Sequence, residues 1–131
     1  MIAKPDFGAE PFALGVARGV AIRGELDLVA APGVTALVDE AIRTSRGTFV
    51  IDLSQLGFMD STGLTLFLRA RALLGQADRG IAVICPPGQA RRVFEAAGVA
   101  DLFSLFGSRD EAVAGGVGLP ESAGRAVYTQ E

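Results

Sequence analysis

The chain has 131 residues, of which 50% are hydrophobic and 21% are charged, and its formal net charge at pH 7 is −3. This length fits one domain with an ample apolar core, and the acidic balance argues against nucleic acid or an anionic membrane as the main partner. The sequence contains no His, which excludes Ser-His-Asp catalysis, Cys-His catalysis and His-ligated zinc.

The first part of the chain predicts a leader followed by a β-hairpin. Residues 1–11 contain Pro5 and Pro11 and show little periodicity, so we expect them to be loosely held. Residues 12–16 and 20–23 are short apolar runs whose connection contains Gly19, which is typical of two paired strands. The chain has neither a signal-peptide pattern nor an apolar run of about 18 residues, so we expect a soluble, cytoplasmic protein.

From Pro32 onward, helical patterns alternate with short apolar runs. Pro32 suits the first turn of a helix, and the residues after it form an apolar stripe with helical spacing: Val34, Leu37, Val38, Ala41 and Ile42. Strands are predicted at 48–53, 81–85 and 102–106, with a loop at 54–57. Helices are predicted from Ser61 to residue 77, over 89–97, and from the capping box of Ser108 and Glu111 to residue 114. Residues 115–131 are rich in Gly and predict a flexible tail.

This order of elements, β-β-α-β-α-β-α-β-α, predicts a single α/β domain over residues 12–114 with a mixed sheet. Its central stretch is the segment Phe58-Met59-Asp60-Ser61-Thr62-Gly63, between an apolar strand and a long helix. Asp and Ser accept the free N–H groups of a first helical turn. The same helix end also favours an anion such as a phosphate. The pattern leaves two interpretations open: Asp60 or Ser61 is only a helix cap, or Ser61 carries a modification.

The helix that follows Ser61 is apolar around most of its circumference. One face is expected to pack on the sheet and consists of Gly63, Leu66, Ala70, Leu73 and Ala77. A second apolar face consists of Leu64, Phe67 and Leu68. This second face is either buried or offered to a partner.

Other candidate sites have simpler interpretations. Cys85 ends an apolar run with no second Cys and no neighbouring base, so we interpret it as a buried structural thiol. Asp27, Asp52 and Asp60 lie at or near predicted strand ends, where carboxylates could bind Mg²⁺ or act as acid and base. A loop cap is the simpler role for Asp52, and we expect no metal.

The sequence also argues against an enzyme. Ser61 lacks the Gly-x-Ser-x-Gly context of a hydrolase and has no His as a base. The single Lys, Lys4, lies in the predicted leader. No Gly-rich phosphate-binding loop is present. We therefore expect no catalysis and no cofactor. The remaining role for Ser61 is to be the target of a modification by another protein.

Three segments, in this order, resemble the STAS domain of bacterial anti-sigma factor antagonists. They are Gly24-Glu25-Leu26-Asp27 with Ala31-Pro32, the run Phe58-Met59-Asp60-Ser61-Thr62-Gly63-Leu64, and Pro87 with Arg92-Val93-Phe94-Glu95-Ala96-Ala97-Gly98. Residues 103–112 also resemble the last strand and helix of that family. The resemblance implies a mixed sheet of four or five strands with about four helices packed mainly on one side.

The resemblance also implies a function in transcription regulation and stress response by partner switching. Ser61 is the implied phosphorylation site, and the kinase is the anti-sigma factor itself, a Ser/Thr kinase with a histidine-kinase-like ATP-binding fold. The unphosphorylated form binds the anti-sigma factor and frees a sigma factor. Phosphorylation breaks that contact, and a PP2C-type phosphatase restores it. The protein is expected to act as a monomer, and the expected partner-binding residues are Asp27, Asp60, Ser61, Thr62, Gly63, Leu64, Phe67 and Leu68.

Two departures and one alternative accompany this hypothesis. Thr65 stands where the family often has a second Gly, and residues 115–131 have no counterpart in it. The alternative function is a STAS scaffold or ligand-sensing module of a larger complex, either a stress-signalling assembly or a transporter-associated subunit. The intact Asp60-Ser61-Thr62-Gly63 motif favours the phosphorylated antagonist.

Overall fold

The computed structural model describes residues 7–120. Its elements are β1 (Gly8–Leu14), β2 (Ala17–Leu26), α1 (Ala31–Arg43), β3 (Phe49–Met59), α2 (Ser61–Gln76), β4 (Ile81–Ile84), α3 (Gln89–Ala96), a short 3-10 helix (Ala100–Leu102), β5 (Ser104–Phe106) and α4 (Arg109–Ala114). The predicted α/β class and the predicted order of strands and helices are confirmed. None of these helices is both long enough and apolar enough to span a membrane.

The five strands form one mixed sheet in the order β1-β2-β3-β4-β5. β1 pairs with β2 antiparallel, and the other three neighbouring pairs are parallel. Each parallel pair needs a crossover, and α1, α2 and α3 supply them in turn. The carboxyl ends of β2, β3 and β4 therefore meet at one edge of the sheet, and the loops that leave this edge lead into the three helices.

The helices lie mainly on one face of the sheet, as predicted. The larger apolar cluster joins this face to three helices through Val34 and Val38 of α1, Phe67 and Leu74 of α2, and Phe94 of α3. A smaller cluster on the other face consists of Ala17, Val50, Ala82, Ile84, Ala112 and Val117. Among the described helices, only α4 contributes to this second cluster, together with the turn after it, so the two faces of the sheet are covered by very different amounts of helix.

Arg79, which precedes β4, bonds to the segment between α1 and β3 at the opposite edge of the sheet from the loops that lead into the three helices. It donates to the carbonyl oxygens of Gly47 and Ile42, both at 2.8 Å, and to Oγ of Ser45 at 2.9 Å. Burial lowers the pKa of the Arg79 guanidinium. These three bonds satisfy groups at and beyond the C-terminal end of α1, which a helix cannot satisfy by itself.

The hairpin differs from its prediction in position. β1 begins at Gly8, so residues 8–11 belong to the sheet and not to a loose leader, while residues 1–6 of the predicted leader lie outside the described part. The turn consists of Gly15 and Val16, and Ala17 already pairs with Leu14. Gly15 has φ +61°, which two-residue hairpin turns require and which Gly adopts without a steric penalty.

The predicted loop at 54–57 is wrong because β3 continues through it to Met59. Its partner β2 also extends, and the two strands stay paired up to Leu26 opposite Met59. Two register shifts, at Ala21/Arg23 and Gly24/Glu25, break the alternation of inward and outward residues. Such irregularities hide a strand from any argument based on a period of two.

The predicted tail begins too early. Val117 is fully buried in the second cluster, and the main-chain N–H of Val16 donates to the carbonyl of Gly118 at 2.8 Å. The segment after α4 therefore closes the hairpin end of the sheet. Residues 121–131 of the predicted tail lie outside the described part of the chain.

Candidate functional site

The loop after β2 and the junction after β3 leave the sheet side by side. Leu26 and Met59 are the last paired residues of these neighbouring strands, and the N–H of Asp60 points to the carbonyl of Leu26 at 3.4 Å. Asp27 and Asp60, which are far apart in sequence, therefore follow adjacent positions at the same edge. This edge carries the candidate site.

The start of α2 separates the roles of Asp60 and Ser61. Asp60 is the N-cap residue with an extended backbone (φ −108°, ψ −169°), and its Oδ1 accepts from the N–H of Thr62 at 2.9 Å. Ser61 is the first helical residue and is exposed. Across residues 7–120 its hydroxyl has no protein hydrogen bond. The cap interpretation therefore applies to Asp60, and the Ser61 hydroxyl lies free at the positive end of the helix.

The neighbouring loop presents two apolar side chains to solvent. Oδ1 of Asp27 accepts from the N–H groups of Val29 at 3.1 Å and Ala30 at 3.0 Å, which folds the loop back on itself. This leaves Leu28 73% exposed and Val29 89% exposed. Neither residue was predicted from the sequence as part of the site. The sequence feature that could have identified them is two consecutive apolar residues in a loop, outside the apolar patterns of β2 and α1.

The second apolar face of α2, which the sequence left as either buried or offered to a partner, is mostly buried. Phe67 is 0% exposed, Leu64 is buried, and Leu68 is partly buried against the larger cluster. Because α2 lies between α1 and α3, the ring of Phe67 stacks on Phe94 with centroids 6.3 Å apart. Leu64 and Phe67 therefore belong to the core, and Leu68 is the one residue of this face that stays partly accessible.

Gly63 also has a structural role. A Cβ at this position would lie 2.9 Å from Cδ2 of Leu26 and 3.3 Å from Sδ of Met59. The missing side chain therefore lets the first turn of α2 approach β2 and β3 closely. Of the eight predicted partner-binding residues, the structure leaves four at least partly accessible at this edge: Asp27, Asp60, Ser61 and Thr62.

A shallow groove of about 350 Å³ runs beside Ser61 between α1 and α2. Its walls include Thr35 of α1 and the Ser61, Thr62 and Thr65 hydroxyl residues of α2. Arg69 also lines the groove and pairs with Asp39 through two bonds of 2.7 and 2.9 Å. The Asp39 carboxylate raises the pKa of the Arg69 guanidinium. The groove thus combines hydroxyl groups with the apolar side chains of Ala31 and Leu66, and its Arg69 is paired with Asp39.

Asp52 does not join Asp27 and Asp60. It lies inside β3, opposite Ala21 and Ile84, because the strand runs on to Met59. In the part of the chain described here, no three acidic or thiol groups come together as a metal site. The predicted burial of Cys85 is confirmed, and this burial raises the pKa of its thiol to about 11.

The chain is similar to known proteins of one family. Residues 15–112 match the STAS domain. The anti-sigma-B factor antagonist of Staphylococcus aureus (strain NCTC 8325 / PS 47) is 29% identical over 86 residues, which cover 66% of this chain and 80% of that protein. The crystal structure of an anti-sigma factor antagonist from Mycobacterium paratuberculosis is 25% identical with a TM-score of 0.78, covering 87% of this chain and 97% of that one.

A further similar structure is that of the Bacillus cell fate determinant SpoIIAA in its phosphorylated form. It is 25% identical with a TM-score of 0.62, and the match covers 82% of this chain and 96% of that one. The five-stranded mixed sheet with its four helices is thus the SpoIIAA-like fold. The match over most of the chain shows that this protein belongs to the STAS domain family, and its relatives include anti-sigma factor antagonists.

Proposed function

We propose that this protein is an anti-sigma factor antagonist that Ser61 phosphorylation switches off. In its unphosphorylated form it binds an anti-sigma factor, a Ser/Thr kinase with a histidine-kinase-like ATP-binding fold, and so releases a sigma factor. The names of the antagonists to which it is similar support this proposal. The observation that carries it is the exposed Ser61 hydroxyl, left free because Asp60 caps the helix.

A phosphate on Ser61 is compatible with the fold. It adds about −1.5 to −2 charges at neutral pH, and the free N–H groups and dipole at the start of α2 favour such an anion. The relative SpoIIAA has been solved in a phosphorylated form. The switch therefore acts on the surface of the protein and leaves its core intact.

The same phosphate would oppose a partner that packs over Ser61. A partner removes water from the charged group, which costs free energy unless it offers a compensating charge. Asp27 and Asp60 lie at the same edge and already make it acidic. We place the partner surface on the accessible residues of this edge, and the exposed Leu28 and Val29 supply its apolar part.

Affinity capture from a lysate of the source organism tests this function. The baits are the wild type, Ser61→Ala and Ser61→Glu, and mass spectrometry identifies the bound proteins and any phosphate on wild-type Ser61. We expect a kinase-fold protein to bind Ser61→Ala and to be lost with Ser61→Glu. A PP2C-type phosphatase should remove the phosphate from the modified wild type.

Gln76→Glu is the matched control because it adds one negative charge at the other end of α2, about 22 Å away at 1.5 Å per residue. It should capture the same kinase as the wild type. If Ser61→Ala and Ser61→Glu hold the same partners and wild-type Ser61 carries no phosphate, the switch is refuted. The protein would then be a scaffold or ligand-sensing module.

A further inference from the structure

The side-chain amide of Gln89 makes two hydrogen bonds to the main chain of Met59, two residues before Ser61. Its Oε1 accepts from the N–H of Met59 at 2.9 Å, and its Nε2 donates to the carbonyl of the same residue at 2.9 Å. A primary amide carries one acceptor and two donors in a plane. Gln89 therefore bonds to Met59 as the main chain of a neighbouring strand would.

These two hydrogen bonds lie where β3 no longer has β4 beside it. β4 pairs with β3 only as far as Ile84 opposite Asp52, whereas β3 continues to Met59. Beyond this point one side of β3 has no strand beside it. On the other side, the N–H of Asp60 donates to the carbonyl of Leu26 at 3.4 Å. Gln89 thus adds two bonds of 2.9 Å to the last residue of β3, beyond the point where its pairing with β4 ends.

The base of this side chain is fixed. Gln89 is the first residue of α3, and Ala90 and Phe94 of the same helix are buried in the larger cluster. Phe94 also stacks on Phe67 of α2. α3 therefore contacts the β3–α2 junction through Gln89, which bonds to Met59, and contacts α2 through Phe94, which stacks on Phe67. The position of α3 and the position of the start of α2 are thus linked.

We infer that Gln89 is a positioning residue for Ser61: by holding the main chain of Met59, it keeps Ser61 at the first position of α2, where the helix end acts on its hydroxyl. The importance of this geometry for phosphorylation rests on the proposed function. The positioning itself does not, and it is testable without a kinase or a partner.

A thiol at position 61 reports on this geometry. A Cys at a helix N-terminus has a pKa below its ordinary value of about 8.5. The reporter protein is Ser61→Cys combined with Cys85→Ala, which removes the buried native thiol. The rate of alkylation by iodoacetamide as a function of pH gives the pKa of the new thiol, and hydrogen exchange by NMR gives the protection of the Met59 amide.

Two changes of Gln89 are compared in this background. Gln89→Leu has a similar volume and removes both bonds. Gln89→Glu keeps the acceptor for the Met59 N–H but, when ionised, places a second acceptor against the carbonyl. Arg92→Ala, an exposed change on the same helix, is the control.

We expect Gln89→Leu to accelerate exchange of the Met59 amide about tenfold, because two hydrogen bonds are lost. The thiol pKa should rise toward its ordinary value. Gln89→Glu should also raise the thiol pKa, in part because its carboxylate adds a negative charge near this end of α2, so Gln89→Leu is the deciding variant. Arg92→Ala should change neither quantity.

The amide of Val83 in β4 serves as the internal reference for global opening. If Gln89→Leu leaves the thiol pKa unchanged, or if Met59 and Val83 exchange faster by the same factor, Gln89 is only a stabilising residue and the inference is overturned. A failed partner capture would leave this result untouched, so the two proposals fail separately.

Discussion

Arg109 of α4 donates from Nε to Oδ2 of Asp52 in the middle of β3, at 2.6 Å. Asp52 is only 2% exposed and is the one buried charged residue in the described chain. Its other oxygen accepts from the N–H of Ser54 at 2.8 Å. The guanidinium also lies 4.5 Å from the ring centroid of Phe12 in β1. One arginine thus connects α4 to two strands of the open face of the sheet.

Replacing Arg109 by Met should destabilise the protein. The change leaves one oxygen of a buried carboxylate without its donor, and we expect a loss of about 2 kcal/mol in the free energy of unfolding by urea. Arg43→Met is the control because Arg43 pairs with Glu40 in an exposed ion pair on α1, which is worth less than about 1 kcal/mol. Equal losses in the two variants would contradict a special role for Arg109.

The division of roles at the start of α2 makes a second prediction. Asp60→Ala removes the helix cap and should cost about 1 kcal/mol, whereas Asp60→Asn keeps an acceptor and should cost only a few tenths. Ser61→Ala should stay within about 0.5 kcal/mol of the wild type, since it is an exposed substitution without a lost bond. Thermal or urea unfolding of the three variants measures this order. A larger loss for Ser61→Ala than for Asp60→Ala would identify Ser61 as the cap.

The exposed pair Leu28 and Val29 should matter for binding and not for stability. The double change Leu28→Ser and Val29→Ser should leave the free energy of unfolding within about 1 kcal/mol, because both side chains are already in solvent. It should weaken capture of the kinase-fold partner at least about tenfold. Val16→Ser is the control, because this exposed residue lies in the hairpin turn before β2, and it should bind normally. Normal binding by the double variant would remove this pair from the partner surface.

Cys85 predicts a pH dependence of stability. Burial raises its thiol pKa to about 11, whereas an unfolded thiol titrates near 8.5. The thiol therefore contributes fully to stability below about pH 8.5, and this contribution is lost as the pH rises toward about 11. Urea unfolding between about pH 8 and pH 10.5 should show a steeper decline for the wild type than for Cys85→Ala. Parallel curves would show that the thiol does not contribute.

The parts of this structure that depend on local chemistry are predictable from the sequence. The helix stripe from Val34 onward, the capping box at Ser108 and the α2 start at Asp60 all follow from residue types at short spacing. The Ser108 hydroxyl does accept from the N–H of Glu111 at 3.1 Å. These signals are read within one or two turns of the chain, and they are therefore visible without a structure.

Other features depend on distant neighbours and were missed or misplaced. β3 is long because β2 follows it through two irregularities, and Phe67 is buried because α1 and α3 lie on either side of α2. Gln89 bonds to a residue 30 positions away, so nothing in its own helix pattern singles it out. Tertiary packing decided each of these cases.

β1 and β5 are the two edge strands of the sheet, and they determine whether a strand of another chain can pair with it. β5 has three residues, and β1 carries Pro11, which has no N–H, next to the charged Glu10. Short strands, proline and charge all discourage the addition of a further strand at an edge. We therefore expect the folded protein to resist β-type self-association even at high concentration, so that its encounters with other molecules take place through loops and side chains.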